Sequence, residues 1–245
     1  MNETIRQIYE RKSVRVFTDE PITSEQREAI LHAAIQAPTA GNMSLYSIID
    51  VQEQKLKDIL AERCDNQPFI AKAPLVLLFL VDWKKWVDIF EAHGMPVNHL
   101  EESDLLLGAQ DCMAAAQNAV IAAQSMGIGS CYIGDILENV EANRELFHIP
   151  SHATPFALLV FGYPTEQQKA RTKPVRFDIN ELVHINHYTP LEGNDLEAAF
   201  QHHSGHKDQD GFEHWIKAFA NRKFFCDFRK EMNRSCRKIL ELWLR

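Results

Sequence analysis

Along the first third of the chain, apolar positions alternate between helical spacing and short continuous runs. Ile5, Ile8 and Tyr9 recur at helical spacing, so a helix is predicted near 3–11 that delivers Arg11 and Arg15 to its end. Thr23 and Gln26 make a capping box ahead of Ile30, Leu31, Ala34 and Ile35, and Pro38 stops that second helix. A strand is expected over Tyr46–Val51, and Leu56, Ile59 and Leu60 mark another helix. Leu75–Val81 is apolar on both faces, which suits an interior strand and is too short to span a membrane.

From Leu105 to Met126 the chain is rich in Leu, Ala and Met with few charges, the pattern of a helix buried nearly all round at the centre of a fold or a dimer. Gly127-Ile128-Gly129 then stops the helix and leads into a short strand ending at the Gly134 turn. Val140–Phe147 reads as helix and Phe156–Gly162 as a buried strand. Residues 163–190 carry Pro164, Pro174 and Pro190 and little periodicity, so they read as an extended connection. Two helical stretches follow, about 194–202 and 212–243, separated by a polar loop Gln201–Asp210 expected to be mobile. Helices with strands scattered between them favour an α+β sandwich, and a central mostly antiparallel sheet flanked by helices with a C-terminal extension is expected. The division is a core over 1–162 and an extension over 163–245 that completes the same domain and a dimer.

Composition narrows the function. With 45% hydrophobic residues over 245 positions the chain has material for a real core, and a net charge of −8 disfavours nucleic acid. Basic groups that do cluster therefore point to a small anionic ligand. The N-terminus lacks the start of a signal peptide and no apolar run reaches a membrane span, so a cytoplasmic protein is expected. The five cysteines, Cys64, Cys112, Cys131, Cys226 and Cys236, form no CxxC pair, which fits reduced thiols. No metal is expected: His184, His187, His202, His203 and His206 are closely spaced but lack the pattern of a zinc site. The absence of G-x-S-x-G disfavours a hydrolase. Trp83 and Trp86 either shape a substrate entrance or pack against a helix.

The densest candidate chemistry is Arg11-Lys12-Ser13-Val14-Arg15: two guanidinium forks, an ammonium and a hydroxyl suited to gripping a phosphate. Alone it also reads as a solvated face or as a complement to a helix C-terminus. Gly127, Gly129 and Gly134 alone are a helix stop and turns, and Lys173 and Arg176 alone are surface charges.

Their joint order changes the reading. The cluster, then Ala37-Pro38-Thr39-Ala40-Gly41-Asn42-Met43, then Gly127-Ile128-Gly129-Ser130-Cys131-Tyr132-Ile133-Gly134, then Lys173-Pro174-Val175-Arg176, resembles the FMN-dependent nitroreductase and flavin reductase family. The likeness covers essentially the whole chain and leans to the larger oxygen-insensitive branch. It implies that Arg11, Lys12, Ser13 and Arg15 bind the FMN phosphate and ribityl chain. It further implies that Pro38, Thr39, Ala40, Gly41 and Asn42 line the flavin from one subunit, and that Gln67 reaches the ring or ribityl chain. Tyr132, Ile133 and Gly134 would offer backbone groups to the ring, while Lys173 and Arg176 close around phosphate, ribityl or pyrimidine edge. The implied reaction carries hydride from NADPH or NADH through flavin N5 to a nitroaromatic, quinone or free flavin, ping-pong, in a homodimer. The alternatives are a non-catalytic flavin or phosphate-ligand binding protein, or a member with a specialised acceptor such as an enone.

Three positions depart from the family pattern. Ser44 stands where many members have Gln, and Asp135 where the branch tends to have Gly. His203, with Lys207 nearby, stands where relatives often present an arginine to the NADPH 2′-phosphate, so His203 and Lys207 are the candidates for nucleotide choice.

Overall fold

The computed structural model describes every residue except Asn98, Lys207 and Arg245. The helices are α1 Glu3–Glu10, α2 Ser24–Ile35, α3 Gln54–Arg63, α4 Pro68–Ala71, α5 Lys84–Ala92, α6 Glu102–Ser125, α7 Val140–Leu146, α8 Glu166–Ala170, α9 Ile179–Leu182, α10 Gly193–Ser204, α11 Gln209–Lys223 and α12 Asp227–Trp243. The strands are β1 Tyr46–Asp50, β2 Leu75–Asp82, β3 Gly129–Ile133 and β4 Ala153–Gly162, and they form one antiparallel sheet in the order β1-β2-β4-β3. This is the expected α+β sandwich.

The apolar run of β2 is explained by burial on both sides. Leu75, Leu77, Phe79 and Val81 join Ile30, Ala34 and the α6 alanines in one cluster, while Val76, Leu78 and Leu80 join Leu60, Cys64 and Ile70 in another. Side chains alternate across a strand, so a strand between two helix layers has no polar face. The predicted capping box is present: Gln26 N donates to Thr23 Oγ1 (3.2 Å) and Thr23 N to Gln26 Oε1 (3.1 Å).

On α6, burial takes one face, with Gly108, Cys112, Ala115, Ala116, Ala119, Val120 and Ala123 turned inward. These small side chains allow close approach; a Cβ at Gly108 would lie 2.5 Å from Val81 Cγ1. The opposite stripe is open in the single chain, with Leu106 64% and Met113 39% exposed. Burial all round is thus not achieved within the single chain.

The C-terminal part departs from the pattern-based expectation. The predicted 212–243 helix is two helices, broken where Phe224 N turns back to Ala220 O (2.7 Å) and Asp227 opens the next helix. The predicted extended connection holds α8 and α9, capped by Thr165 and by the reciprocal pair Asp178 and Glu181, cues that apolar periodicity passes over. Most of Gln201–Asp210 is helical: α10 runs to Ser204 and ends on left-handed Gly205 (φ +76°), and Asp208 caps α11.

By contacts the chain divides into a unit of residues 1–171 with 231–245 and a unit of residues 172–230. In the first unit Trp243 is buried and its indole donates to Glu101 O (3.1 Å). The second unit contains α9, α10 and α11, with Phe177, Phe200, Phe212, Trp215 and Phe219 lining a cavity of about 780 Å³. Among the described residues no helix is long and apolar enough to cross a membrane. All five cysteines are free thiols.

Candidate functional site

The segment after α1 is laid against the free edge of the sheet. Ser13 forms a parallel bridge with Ser130, and Val14 N donates to Ser130 O (2.9 Å). The approach depends on Gly129, where a Cβ would stand 2.5 Å from Val14 Cγ2. On the other side, Arg171 Nη2 donates to Ser13 O (2.5 Å) and Arg15 N donates to Gln168 Oε1 (3.3 Å). Lys12 Nζ donates to Lys169 O (2.6 Å) and to Arg171 O. Its ammonium therefore ties the segment to the end of α8.

Arg11, Ser13 and Arg15 converge on Cys131. Burial pushes this thiol up, and Arg15, Ser13 and Arg11 pull against it. Burial likewise pushes the Tyr132 phenol up to about 12, with Arg11 again opposing. The basic cluster and the Tyr132-Ile133-Gly134 motif are thus one place. Because Ser130 O serves Val14, the alternation of an edge strand turns the Tyr132 peptide groups away from β4 as well. Among the described residues Arg15 enters no ion pair, so a positive group stands exposed without a carboxylate in a chain of net charge −8.

After β3, the 3₁₀ turn Gly134–Leu137 meets the loop that precedes α4. Gln67 Nε2 donates to Asp135 Oδ2 (3.0 Å) and to Cys64 O (2.8 Å), so Gln67 joins the β3 edge. Next to this turn Glu138 is buried, with Oε1 lacking a hydrogen-bond partner. Burial first, then Asp135, Asp65 and Glu231, push its carboxyl up to about 7.

The Pro38–Asn42 segment lies elsewhere. Ala40–Asn42 is a 3₁₀ turn whose Gly41 and Asn42 take φ of 54° and 59°. Asp111, 3% exposed on α6, accepts from Ala40 N (2.9 Å) and Leu45 N (3.1 Å), and Thr39 Oγ1 accepts from Ser44 N (3.1 Å). Sequence reasoning missed Asp111. Its signal was a single acid in the apolar stretch Leu105–Met126, and a buried carboxylate must find donors. Trp86 donates to Met43 O (2.7 Å) and Trp83 to Asp104 O (2.9 Å), so both indoles anchor backbone.

The sheet order separates these segments. The loop after Asn42 feeds β1, whereas Arg11–Arg15 and Gly134 border β3, three strand spacings or about 14 Å away. They also differ in height: Tyr46 pairs with Val81 and thence Thr154, while Gly129 pairs with Gly162 at the other end of β4.

In the second unit, Arg176 Nη1 donates to Pro174 O (3.3 Å), and Lys173 stands three residues earlier. His203 occupies the last turn of α10, its ring stacked on Phe177 at 4.2 Å and 1°, with Nδ1 buried and without a hydrogen-bond partner. Lys207 lies outside the described residues. Asp178, Glu181 and His202 bring ligand-type atoms within 4.8 Å of one another, but both carboxylates already cap α9.

The profile described as the Nitroreductase family matches residues 8–163, which contain the whole β3 edge and the Pro38–Asn42 turn. The chain belongs to the nitroreductase family. Over 192 residues it is 34% identical to the oxygen-insensitive NADPH nitroreductase of Salmonella typhimurium, covering 78% of this chain and 77% of that protein. Nitroreductase A of Vibrio parahaemolyticus superposes with a TM-score of 0.78 at 31% identity, over 84% of this chain and 85% of that one. The NADPH:FMN oxidoreductase of Vibrio harveyi, solved with NAD+, gives 0.78 at 28%, over 94% and 98%.

Proposed function

We propose that the protein is an FMN-dependent oxidoreductase that takes hydride from NADPH or NADH and passes two electrons to a nitroaromatic, a quinone or free flavin. The observation that carries this reading is the gathering of Arg11, Ser13 and Arg15 on an open strand edge continuous with Gly134 and Gln67. Cations and a hydroxyl at one end, and outward peptide groups at the other, match a ligand with a phosphate and a polar planar ring. Bound FMN supplies the two-electron chemistry. The chain's own residues grip and orient: Arg11, Ser13 and Arg15 hold the phosphate end, and the backbone of Tyr132–Gly134 faces the ring without adding a competing acid. Lys12, spent on Lys169 O and Arg171 O, shapes the cradle. Nicotinamide and acceptor use the same face in turn, a ping-pong order.

A homodimer completes the site in this reading. Pro38–Asn42 leads into one edge strand and Arg11–Arg15 borders the other, and in this reading a second copy brings the former to the latter's ligand. The open stripe of α6 and exposed Ile5, Ile8 and Tyr9 on α1 are apolar surface for that contact. The roles of Lys173, Arg176, His203 and Lys207 rest on the family pattern alone. Three free thiols buried without disulfides suit a reducing, cytoplasmic setting.

Purified protein should be yellow, release FMN on acid treatment, and bleach anaerobically with NADPH or NADH. It should sediment at about twice 28.1 kDa. Arg15→Ala should weaken FMN binding by about 10–150-fold, the loss of one charge-assisted bond. Release of FAD, or a colourless protein that takes up no FMN, refutes the assignment. A stable monomer that retains FMN refutes the composite site.

A further inference from the structure

Both amide protons of Gln67 are committed inside the subunit. Nε2 donates to Cys64 O at 2.8 Å and to Asp135 Oδ2 at 3.0 Å. A carbonyl oxygen and an ionised carboxylate accept only, so chemistry itself dictates which way the amide is turned. The backbone is held too: Gln67 N donates to Ala61 O (2.8 Å) and Gln67 O accepts from Ile70 N (3.0 Å). Gln67 stands at the N-cap of α4, yet its side chain does not cap that helix, which leaves Oε1 unspent on it. Asp135 is the second residue of the turn that continues β3, so the constraint comes from the segment proposed to face the flavin.

We propose that Asp135 is a positioning residue that makes Gln67 a pure hydrogen-bond acceptor toward FMN. The inference rests on the FMN reading and deepens it. Oε1 then pairs with a donor of the cofactor, ring N3–H or a ribityl hydroxyl, and Gln67 is barred from the acceptor atoms N1, O2, O4 and N5. Reduction increases electron density on N1, O2 and O4 while N5 gains a hydrogen, so an amide free to rotate would donate to N1, O2 or O4 and bind reduced FMN better than oxidised FMN. Asp135 withholds that donation.

Two substitutions separate the orientation from the charge. Asp135→Asn removes the charge but keeps an acceptor in Oδ1, and with it the orientation of Gln67; Asp135→Ala removes both. In the FMN-free protein, the Gln67 side-chain amide, assigned by its loss in Gln67→Ala, should exchange with solvent slowly in the parent and in Asp135→Asn. In Asp135→Ala it should exchange about threefold to tenfold faster, the loss of one ordinary hydrogen bond. The ratio of oxidised to dithionite-reduced FMN dissociation constants should rise by a similar factor in Asp135→Ala over Asp135→Asn. Equal amide exchange in all three proteins, or equal ratios in the two variants, overturns the proposal. A parent protein that takes up no FMN overturns the cofactor reading and with it the acceptor role, whereas equal exchange in a protein that does bind FMN overturns the Asp135 constraint alone.

Discussion

The two edges of the sheet each carry a candidate binding segment, and the chain holds them by different means. At the β1 edge, the Pro38–Asn42 turn is fixed chiefly by one buried side chain, with Asp111 accepting from two peptide N–H groups that flank the turn. At the β3 edge, Arg11–Arg15 is held by backbone pairing to Ser130, by Lys12 and Arg171 reaching carbonyls, and by contact that only a glycine at 129 permits. The first device concentrates its energy in one carboxylate. The second spreads it over many contacts and depends on the absence of a Cβ. A segment that leans mainly on one group loses most at a single substitution, and one held by many fails by displacement.

That contrast predicts its own largest break. Asp111→Ala leaves the buried Leu45 N–H and the half-buried Ala40 N–H without an acceptor, and should cost about 2–4 kcal/mol, with about 1–3 from the buried donor and less from the half-buried one. Urea unfolding of the FMN-free protein measures it. A loss below about 1 kcal/mol would show that water or another acceptor replaces the carboxylate, and would remove the distinction between the edges.

The β3 edge should respond to pH through Glu138. Its carboxyl is pushed up to about 7 from an ordinary 4.5, so between these values the folded state binds more protons than the unfolded state. Stability from this group is full below about 4.5 and is lost as pH rises through about 7. The difference is on the order of 3 kcal/mol. Glu138→Gln should therefore match the parent near pH 4.5 and exceed it in melting temperature at pH 8. Parallel curves for the two proteins across this range would show that Glu138 is ionised without cost.

The smallest expected effect on stability sharpens the account of the β3 edge. Gly129→Ala should cost about 1–3 kcal/mol by overpacking against Val14. It should also weaken FMN binding, because the Cβ pushes Ser13 and Arg15 outward. Val14→Ala in the same chain should restore much of the binding. FMN affinity unchanged in Gly129→Ala would separate the pairing of Ser13 with Ser130 from cofactor binding.

Much of this architecture was legible from local pattern. The apolar run of β2, the Thr23 and Gln26 capping box, and the glycine stop after α6 are signals between near neighbours in the chain, and the structure contains each of them. Short helices α8 and α9 were missed because their cues are caps rather than periodicity. The break between α11 and α12 was missed because aromatic residues continue through it, so the apolar pattern carries no interruption at Phe224. Asp111 was visible as an oddity, a lone acid in an apolar helix, but its two partners lie 71 and 66 residues away.

By itself the sequence determined the kinds of element, the buried faces of the strands, and the residue types suited to a phosphate and a planar ring, because these follow from spacing and side-chain chemistry. Only the tertiary structure decided that Arg11–Arg15 and Tyr132–Gly134 share one edge while Pro38–Asn42 leads into the other edge strand, and that Asp135 accepts a hydrogen bond from Gln67. Strand order and hydrogen-bond partnership are choices among many distant groups of similar chemistry. They are settled by which arrangement packs both helix layers onto the sheet and leaves the fewest buried polar groups unpaired.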